Sequence, residues 1–459
     1  MSASDEGIDT ITVPELPGFG GERISPADPG YDEARTVFPG GFDRRPSAIF
    51  RPTSAEEVAQ VIGLARDTDL PLAVRGGGHS GAGHGVVDGG IVLDVANLGG
   101  IEIDTNERTA WAGTGVTTGE YTQAAWEHRL ATGFGDAGTV GIGGITLAGG
   151  IGFLVRKYGM TIDSLLAAEV VTANGEILAV DAESHPDLFW AIRGGGGNFG
   201  VATKLKLRLH DLPDFYGGML LLPATAETIA GFVAAAKGAP EELSTIANVM
   251  PAPPMPFVPE DIQGELVLMA TLAYAGNAED GERAATPFRE LAEPIADMVQ
   301  ATDYPELFPP TQEGYHPVVD IRTGFAEALG PDQAERIVAA MSDRPNAMGV
   351  VQIRALGGAM GRVPVEETAF AHRDHKLMVN VVAMYMPGDE RGSFRPWIDG
   401  LAGELQDSEG AYTGFLGDEG EARVRAAYPA ATWERLAAVK QEYDPENLFR
   451  LNQNIPPAG

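Results

Sequence analysis

The chain has 459 residues, 44% hydrophobic and 21% charged, enough for two sizeable folded domains and for enclosing a large ligand. It contains no cysteine, which excludes disulfides, thiolate metal sites and cysteine nucleophiles. Against 65 acidic residues stand 32 basic ones, a net charge of −33 that disfavours nucleic acid and anionic membrane surfaces as partners. Only six of the basic residues are lysines. The acidic first ten residues lack the apolar core of a signal peptide, and no apolar run approaches the ~18 residues of a membrane span, so a cytoplasmic protein is expected.

In chain order, residues 1–42 are rich in Gly, Pro and Asp and are expected to form an arm over the first domain, 43–210. Ser47–Pro52 reads as a strand. Ser54-Ala-Glu-Glu57 reads as a capping box before a helix whose apolar face is Val58, Val61, Ile62 and Ala65. Leu70–Val74 returns as a strand into Arg75-Gly-Gly-Gly-His-Ser80. Three glycines there remove side chains where a strand ends, so backbone N–H groups can close on an anionic ligand beside one imidazole.

Gly76–Gly81 also satisfies G-x-G-x-x-G, but the dinucleotide fingerprint needs a helix opening at the last glycine. Residues 82–90 read as loop, so a Rossmann domain is rejected.

Thr109–Gly113 reads as a strand and Thr118–Leu130 as a helix. Residues 138–152 hold seven glycines among β-branched side chains. The pattern predicts neither regular helix nor sheet but a backbone surface against which a flat polar ligand can lie. Asn174-Gly175 between two strand-like runs predicts a type I′ hairpin. Arg193–Val201 is a third glycine cluster. Beyond residue 211 glycine thins, helical runs appear at 224–236 and 331–340, and strands at 349–355 and 377–386. A second, α+β domain is expected over 211–437, with a C-terminal segment 438–459 returning to the first.

These motifs, with Lys157-Tyr-Gly159 and Asp163 between the second and third clusters, resemble the FAD-binding module of the vanillyl-alcohol-oxidase superfamily. Tyr443–Pro456 is similar to the terminus of its berberine-bridge-enzyme-like branch. The resemblance implies an α+β, two-domain FAD-binding fold of the PCMH type, with an antiparallel substrate sheet covered by helices. It implies FAD contacts from Arg75, Gly76, Gly77, Gly78, His79 and Ser80. Further contacts fall on Thr139, Val140, Gly141, Gly143, Gly144, Leu147, Gly149, Gly150, Gly152, Tyr158, Gly159, Asp163, Gly200, Val201, Asn452 and Asn454.

It also implies a covalent bond from His79 to the flavin. The alternative is a histidine that only hydrogen-bonds the flavin or a phosphate. Many members carry a second tether through the cysteine of C-x-T-V-G. Ala137 stands there, so a mono-covalent flavin is expected. The usual Y-x-N-Y reads Tyr412-Thr-Gly-Phe415, which removes the usual base. Polar candidates for the substrate side are Asn380, Gln352, Tyr412 and Gln453, with Arg354 and Trp433 beside them. Asn380 can orient a substrate but cannot take a proton. No metal site is expected, because His84 near His79 has no further ligand.

The implied function is hydride transfer from a small-molecule alcohol, sugar or activated C–H donor to flavin, reoxidised by O2 or another acceptor. The alternatives are an O2-excluding dehydrogenase, in which Ile142 lies near the oxygen gate of relatives, or a flavin protein whose redox site has decayed.

Scarce lysine together with excess carboxylate also predicts a protein adapted to molar salt, where repulsion is screened to roughly 3 Å. Circular dichroism should show the fold lost in dilute buffer and recovered in molar KCl. Full activity without salt contradicts this.

Overall fold

The structure, a computed structural model, describes residues 13–310, 314–345 and 348–459. The first body contains two sheets. In the four-stranded one the order is Glu22–Ile24, Ala48–Arg51, Ile91–Asp94, Leu72–Arg75. The last three strands run parallel, and the helix Ala55–Thr68 makes the crossover. Its face Val58, Val61, Ile62 and Ala65 is fully buried. Half of the capping box forms. Ser54 accepts from the Glu57 N–H, but the Glu57 carboxylate turns away to accept from the N–H groups of Thr53 and Gly20. Glu22–Ile24 pairs with Ala48–Arg51, so the arm supplies an edge strand.

The second sheet has five antiparallel strands in the order Ile101–Asp104, Thr109–Gly113, Val201–Arg208, Leu165–Val171, Ile177–Asp181. Leu165–Val171 and Ile177–Asp181 form the expected hairpin, with a different turn. Gly175 takes φ +85° while Asn174 does not turn left-handed, and the Gly175 N–H donates to the Thr172 carbonyl. This is a type I turn closed by a glycine bulge. The Asn174 side chain accepts from Glu176 N–H and from the Thr172 hydroxyl, which a type I′ geometry would forgo.

The glycine-rich run at 138–152 also departs from expectation, because Ile142–Ala148 is an α-helix. Each internal glycine costs about 1 kcal/mol relative to alanine. Packing offsets this: Ile142 and Thr146 are fully buried, and the bare face of Gly143 lies so close to Thr114 that a Cβ would sit 3.0 Å from its Cβ. Gly149 (φ +140°) and Gly150 (φ +77°) end the helix.

The second body is one large antiparallel sheet. Its order is Ala296–Asp297, Tyr216–Pro223, Leu266–Tyr274, Leu243–Pro251, Met348–Ala355, Leu377–Tyr385, Val318–Ala326. The helices Ala226–Gly238, Ala278–Arg289, Pro331–Ser342 and Arg395–Leu405 bury one face through Phe232, Phe288, Ile337 and Ile398 against Leu220, Val351, Val379 and Val381. Alternation turns the other residues towards the first body. In register across four strands stand Asn248, Gln352, Asn380 and Thr323. This is the α+β architecture expected.

Ala369 already packs into the core of the first body, and from Ala411 onward the chain stays there through Leu416, Tyr428, Leu436 and Ile455, ahead of the expected return at 438. The segment after Tyr412 is pinned to the large sheet by Glu419, whose buried carboxylate meets Arg322 at 2.7 Å, Arg395 at 3.1 Å and Arg423 at 3.3 Å. The C-terminal segment is held by Lys440 and Asp444, both fully buried and 2.6 Å apart. Lys440 also donates to the carbonyls of Asn198 and Phe449, and Asp444 accepts from the N–H groups of Leu448 and Phe449. Among the described residues no helix is long and apolar enough to cross a membrane.

Removing one partner of such a pair strands the other charge in the interior. Lys440→Ala should therefore lower unfolding free energy by about 3–5 kcal/mol in urea titrations, and the double variant Lys440→Leu with Asp444→Leu should lose less. Equal losses would contradict this account.

Candidate active site

One cavity of about 420 Å³ lies in the first body, closed by residues 412–416 and by the C-terminal segment. Arg75, Gly76, Gly77, Gly78, His79 and Ser80 form one wall, and Val140, Gly141, Gly143, Gly144 and Leu147 a second. Gly195–Asn198 with Gly200 and Val201 form a third. Tyr412, Asn452 and Gln453 close the space. The first two walls touch backbone to backbone: a Cβ on Gly77 would run into the amide nitrogen of Gly141, and one on Gly141 into that of Gly77. Glycine is required at both by contact, not by torsion.

Arg75 fixes the base of the loop. Its Nη2 donates to Asp94 (2.8 Å) and to the Ala34 carbonyl (2.6 Å), while buried Nη1 has no partner. Asn452 likewise leaves buried Oδ1 unpaired at the wall. An orphan donor, an orphan acceptor and bare backbone fit a long ligand with anionic and polar groups.

His79 is held on two sides. Phe38 stacks on the ring at 4.1 Å between centroids, and Nε2 lies 3.0 Å from Thr139 Oγ1. Burial pushes its pKa down to about 4, so the imidazole is neutral at working pH. Thr139 thus acts on the histidine and does not line the cavity. His84, on the wall beside Ser80, is also depressed to about 4, by burial and then by Arg44.

Other expected contacts stand off the wall. Gly149 and Gly150 let the chain turn against Tyr412 and Thr161, and Gly152 packs on the backbone of Gly135. Tyr158 donates to the Asp211 carbonyl at 2.6 Å and stacks on His210. Gly159 makes room for Asp163, whose carboxylate pairs with fully buried Arg373 at 2.7 Å. Asn454 does not line the cavity, and its Oδ1 is buried and unpaired. Ile142 is buried in the first body's core, not at the cavity.

On the substrate side, Gln352 and Asn380 lie behind the wall in a chain of hydrogen bonds. Asn380 Nδ2 donates to Gln352 Oε1 (3.0 Å), Gln352 Nε2 to Asn248 (3.0 Å), and Arg354 Nε to Gln352 Oε1 (2.9 Å). Tyr412 Oη accepts from the Gly150 N–H (2.9 Å), and burial pushes its pKa up to about 12. Gln453 donates to the Leu416 carbonyl, and Trp433 packs under Arg425 away from the cavity.

Sequence reasoning missed Asp136. This carboxylate lines the cavity and pairs with Arg354 Nη2 at 2.5 Å. Its only sequence signal was a lone charge inside a glycine-rich apolar stretch. Its partner lies 218 residues away.

Depressed histidines also set the acid stability. A histidine that protonates near 6.5 when unfolded and near 4 when folded lends stability above pH 6.5, which is lost progressively as pH falls towards 4. Urea midpoints should fall between pH 7 and pH 5, and His84→Asn should shrink that fall by on the order of 1 kcal/mol. An unchanged difference contradicts the assignment.

The FAD binding domain family matches residues 46–181, and the berberine and berberine-like family matches 411–456. (R)-6-hydroxynicotine oxidase of Paenarthrobacter nicotinovorans is 32% identical over 96% of this chain and 97% of its own length. Xylooligosaccharide oxidase of Thermothelomyces thermophilus is 27% identical over 90% and 88%. Among solved structures, 6-hydroxy-D-nicotine oxidase from Arthrobacter nicotinovorans superposes with a TM-score of 0.85 at 28% identity, covering 96% of this chain and 98% of that one. Glycine walls, a histidine at the cavity and these likenesses agree: the chain belongs to the FAD-linked oxidoreductases of the vanillyl-alcohol-oxidase superfamily, in the berberine-bridge-enzyme-like branch.

Proposed function

We propose that this enzyme oxidises a small-molecule alcohol, sugar or activated C–H compound using FAD tethered through His79, with O2 or another acceptor taking the electrons onward. The observation that carries the reading is His79: neutral, clamped in plane and orientation, and set on the wall of a cavity built from three glycine clusters. Bound FAD supplies a two-electron hydride acceptor, and a histidyl bond to it raises its potential.

The residues of the chain do the rest. Thr139 Oγ1 can accept the Nε2–H, which places the imidazole lone pair on Nδ1, the form able to bond carbon. Ala137 offers no sulfur for a second tether. Gly76–Gly78 and Gly195–Gly197 expose backbone for close approach by the cofactor, and Arg75 brings a spare N–H to its anionic part. Tyr412 stays protonated and is held by Gly150, so it shapes the site and does not take the substrate proton. The acidic excess of the chain supports a working environment of high salt.

The purified protein should be yellow and should bleach anaerobically with a member of a panel of (R)-6-hydroxynicotine, xylobiose, glucose and benzyl alcohol. Oxygen uptake then separates an oxidase from a dehydrogenase. Acid should precipitate the colour with the protein, whereas His79→Ala should release it to the supernatant. Colour released from the unaltered protein contradicts the tether, and failure of every donor to bleach favours a decayed redox site.

A further inference from the structure

We propose that Asp136 is a catalytic residue of this site: it takes the proton of the substrate's O–H or N–H. This rests on the hydride-transfer reading above.

Asp136 is the one carboxylate among the residues lining the cavity. Its side chain is 31% exposed, whereas its partner Arg354 is 4% exposed. Only Oδ2 is engaged, by Arg354 at 2.5 Å; Oδ1 makes no hydrogen bond to the described residues. Arg354 is itself fixed on every side. Nε donates to Gln352, Nη1 to the Ile151 carbonyl at 3.3 Å, and the guanidinium lies 5.0 Å over the Phe415 ring. Gln352 is fixed in turn by Asn248 and Asn380.

The amide ladder of the large sheet therefore serves to hold, from the second body, one oxygen of a carboxylate that lines the cavity, and it leaves the other oxygen free. An arginine holding Oδ2 fixes the orientation of the carboxylate and leaves Oδ1 without a partner among the described residues. The rival groups are unsuited: Gln352 and Asn380 are amides, Tyr412 is protonated and occupied, and His84 is hydrogen-bonded within the first glycine loop.

In the step assigned here the substrate X–H bond breaks and its proton ends on Asp136 Oδ1. The pair left behind forms the C=X bond, while the C–H pair leaves as hydride to the flavin. The substrate class is a compound with an O–H or N–H donor on the carbon that is oxidised. A carboxylate at that place would be repelled.

Two readouts test this on the FAD-loaded enzyme. Sulfite adds to oxidised flavin as an anion and senses nearby charge, so Asp136→Asn should bind it at least about tenfold tighter. The ion-paired control Asp303→Asn should not change sulfite binding. Anaerobic flavin reduction by the active donor of the panel should slow by about 10²–10⁴-fold in Asp136→Asn. The double variant Asp136→Asn/Arg354→Gln, which leaves no buried unpaired cation, should show the same slow reduction with flavin content retained.

Unchanged sulfite binding overturns the placement of Asp136. Tighter sulfite binding with reduction within threefold of the parent overturns its proton role. If no donor reduces the parent enzyme, the hydride-transfer reading and the proton role that rests on it both fall, while sulfite still decides whether Asp136 faces the flavin.

Discussion

The site depends on one close approach, that of the Gly77 and Gly141 backbones. Each fills the space where the other's Cβ would stand, so the loop after Leu72–Arg75 and the turn before Ile142–Ala148 meet without side chains between them. That contact brings Thr139 within reach of His79 and sets two walls of the cavity at once. The third wall is brought in by other means. Asn198, through its carbonyl and side chain, ties the Gly195–Gly197 turn to Lys440, Gln453 and Ile455, so the C-terminal segment is a structural part of the cavity.

The cavity and the sheet beyond it divide the chemical labour. The walls are mainly glycine backbone and apolar side chains with two histidines of depressed pKa, and Arg75, Asp136, Asn452 and Gln453 are set among them, a surface suited to a large cofactor. Further polarity comes from the large sheet, which places Asn248, Gln352, Asn380 and Arg354 on its inner face by simple alternation. Buried polar groups in such a ladder are costly unless satisfied. Asn380 Oδ1 and the neighbouring Thr323 hydroxyl are buried without partners, which marks this part of the sheet as polar beyond the needs of folding.

Local grammar made much of this legible. The crossover helix after Ser54, the loop ending in His79 and the hairpin at Asn174 could be read because each is specified by residues close in sequence. Two local readings failed for tertiary reasons. Gly143 and Gly144 are poor helix formers, yet they lie in a helix whose Gly143 packs on Thr114, and the Asn174 side chain supports a type I turn over type I′. Glycines 149, 150, 152 and 159 share composition with the cavity walls but serve close packing, a distinction composition does not carry. Asp136 was invisible because its meaning lies in Arg354, far away in the chain and on another body. The early return at Ala411 was hidden likewise, since the contacts of Leu416 and Tyr428 with the first body are long-range.

The central claim is that His79 is not merely near the cofactor but bonded to it. Mass spectrometry of the proteolytic peptide containing His79, taken from protein purified yellow, tests this most directly. The account predicts that peptide heavier by one FAD, with fragmentation placing the added mass on His79. The unmodified peptide recovered from fully yellow protein, or the added mass on another residue, would contradict it.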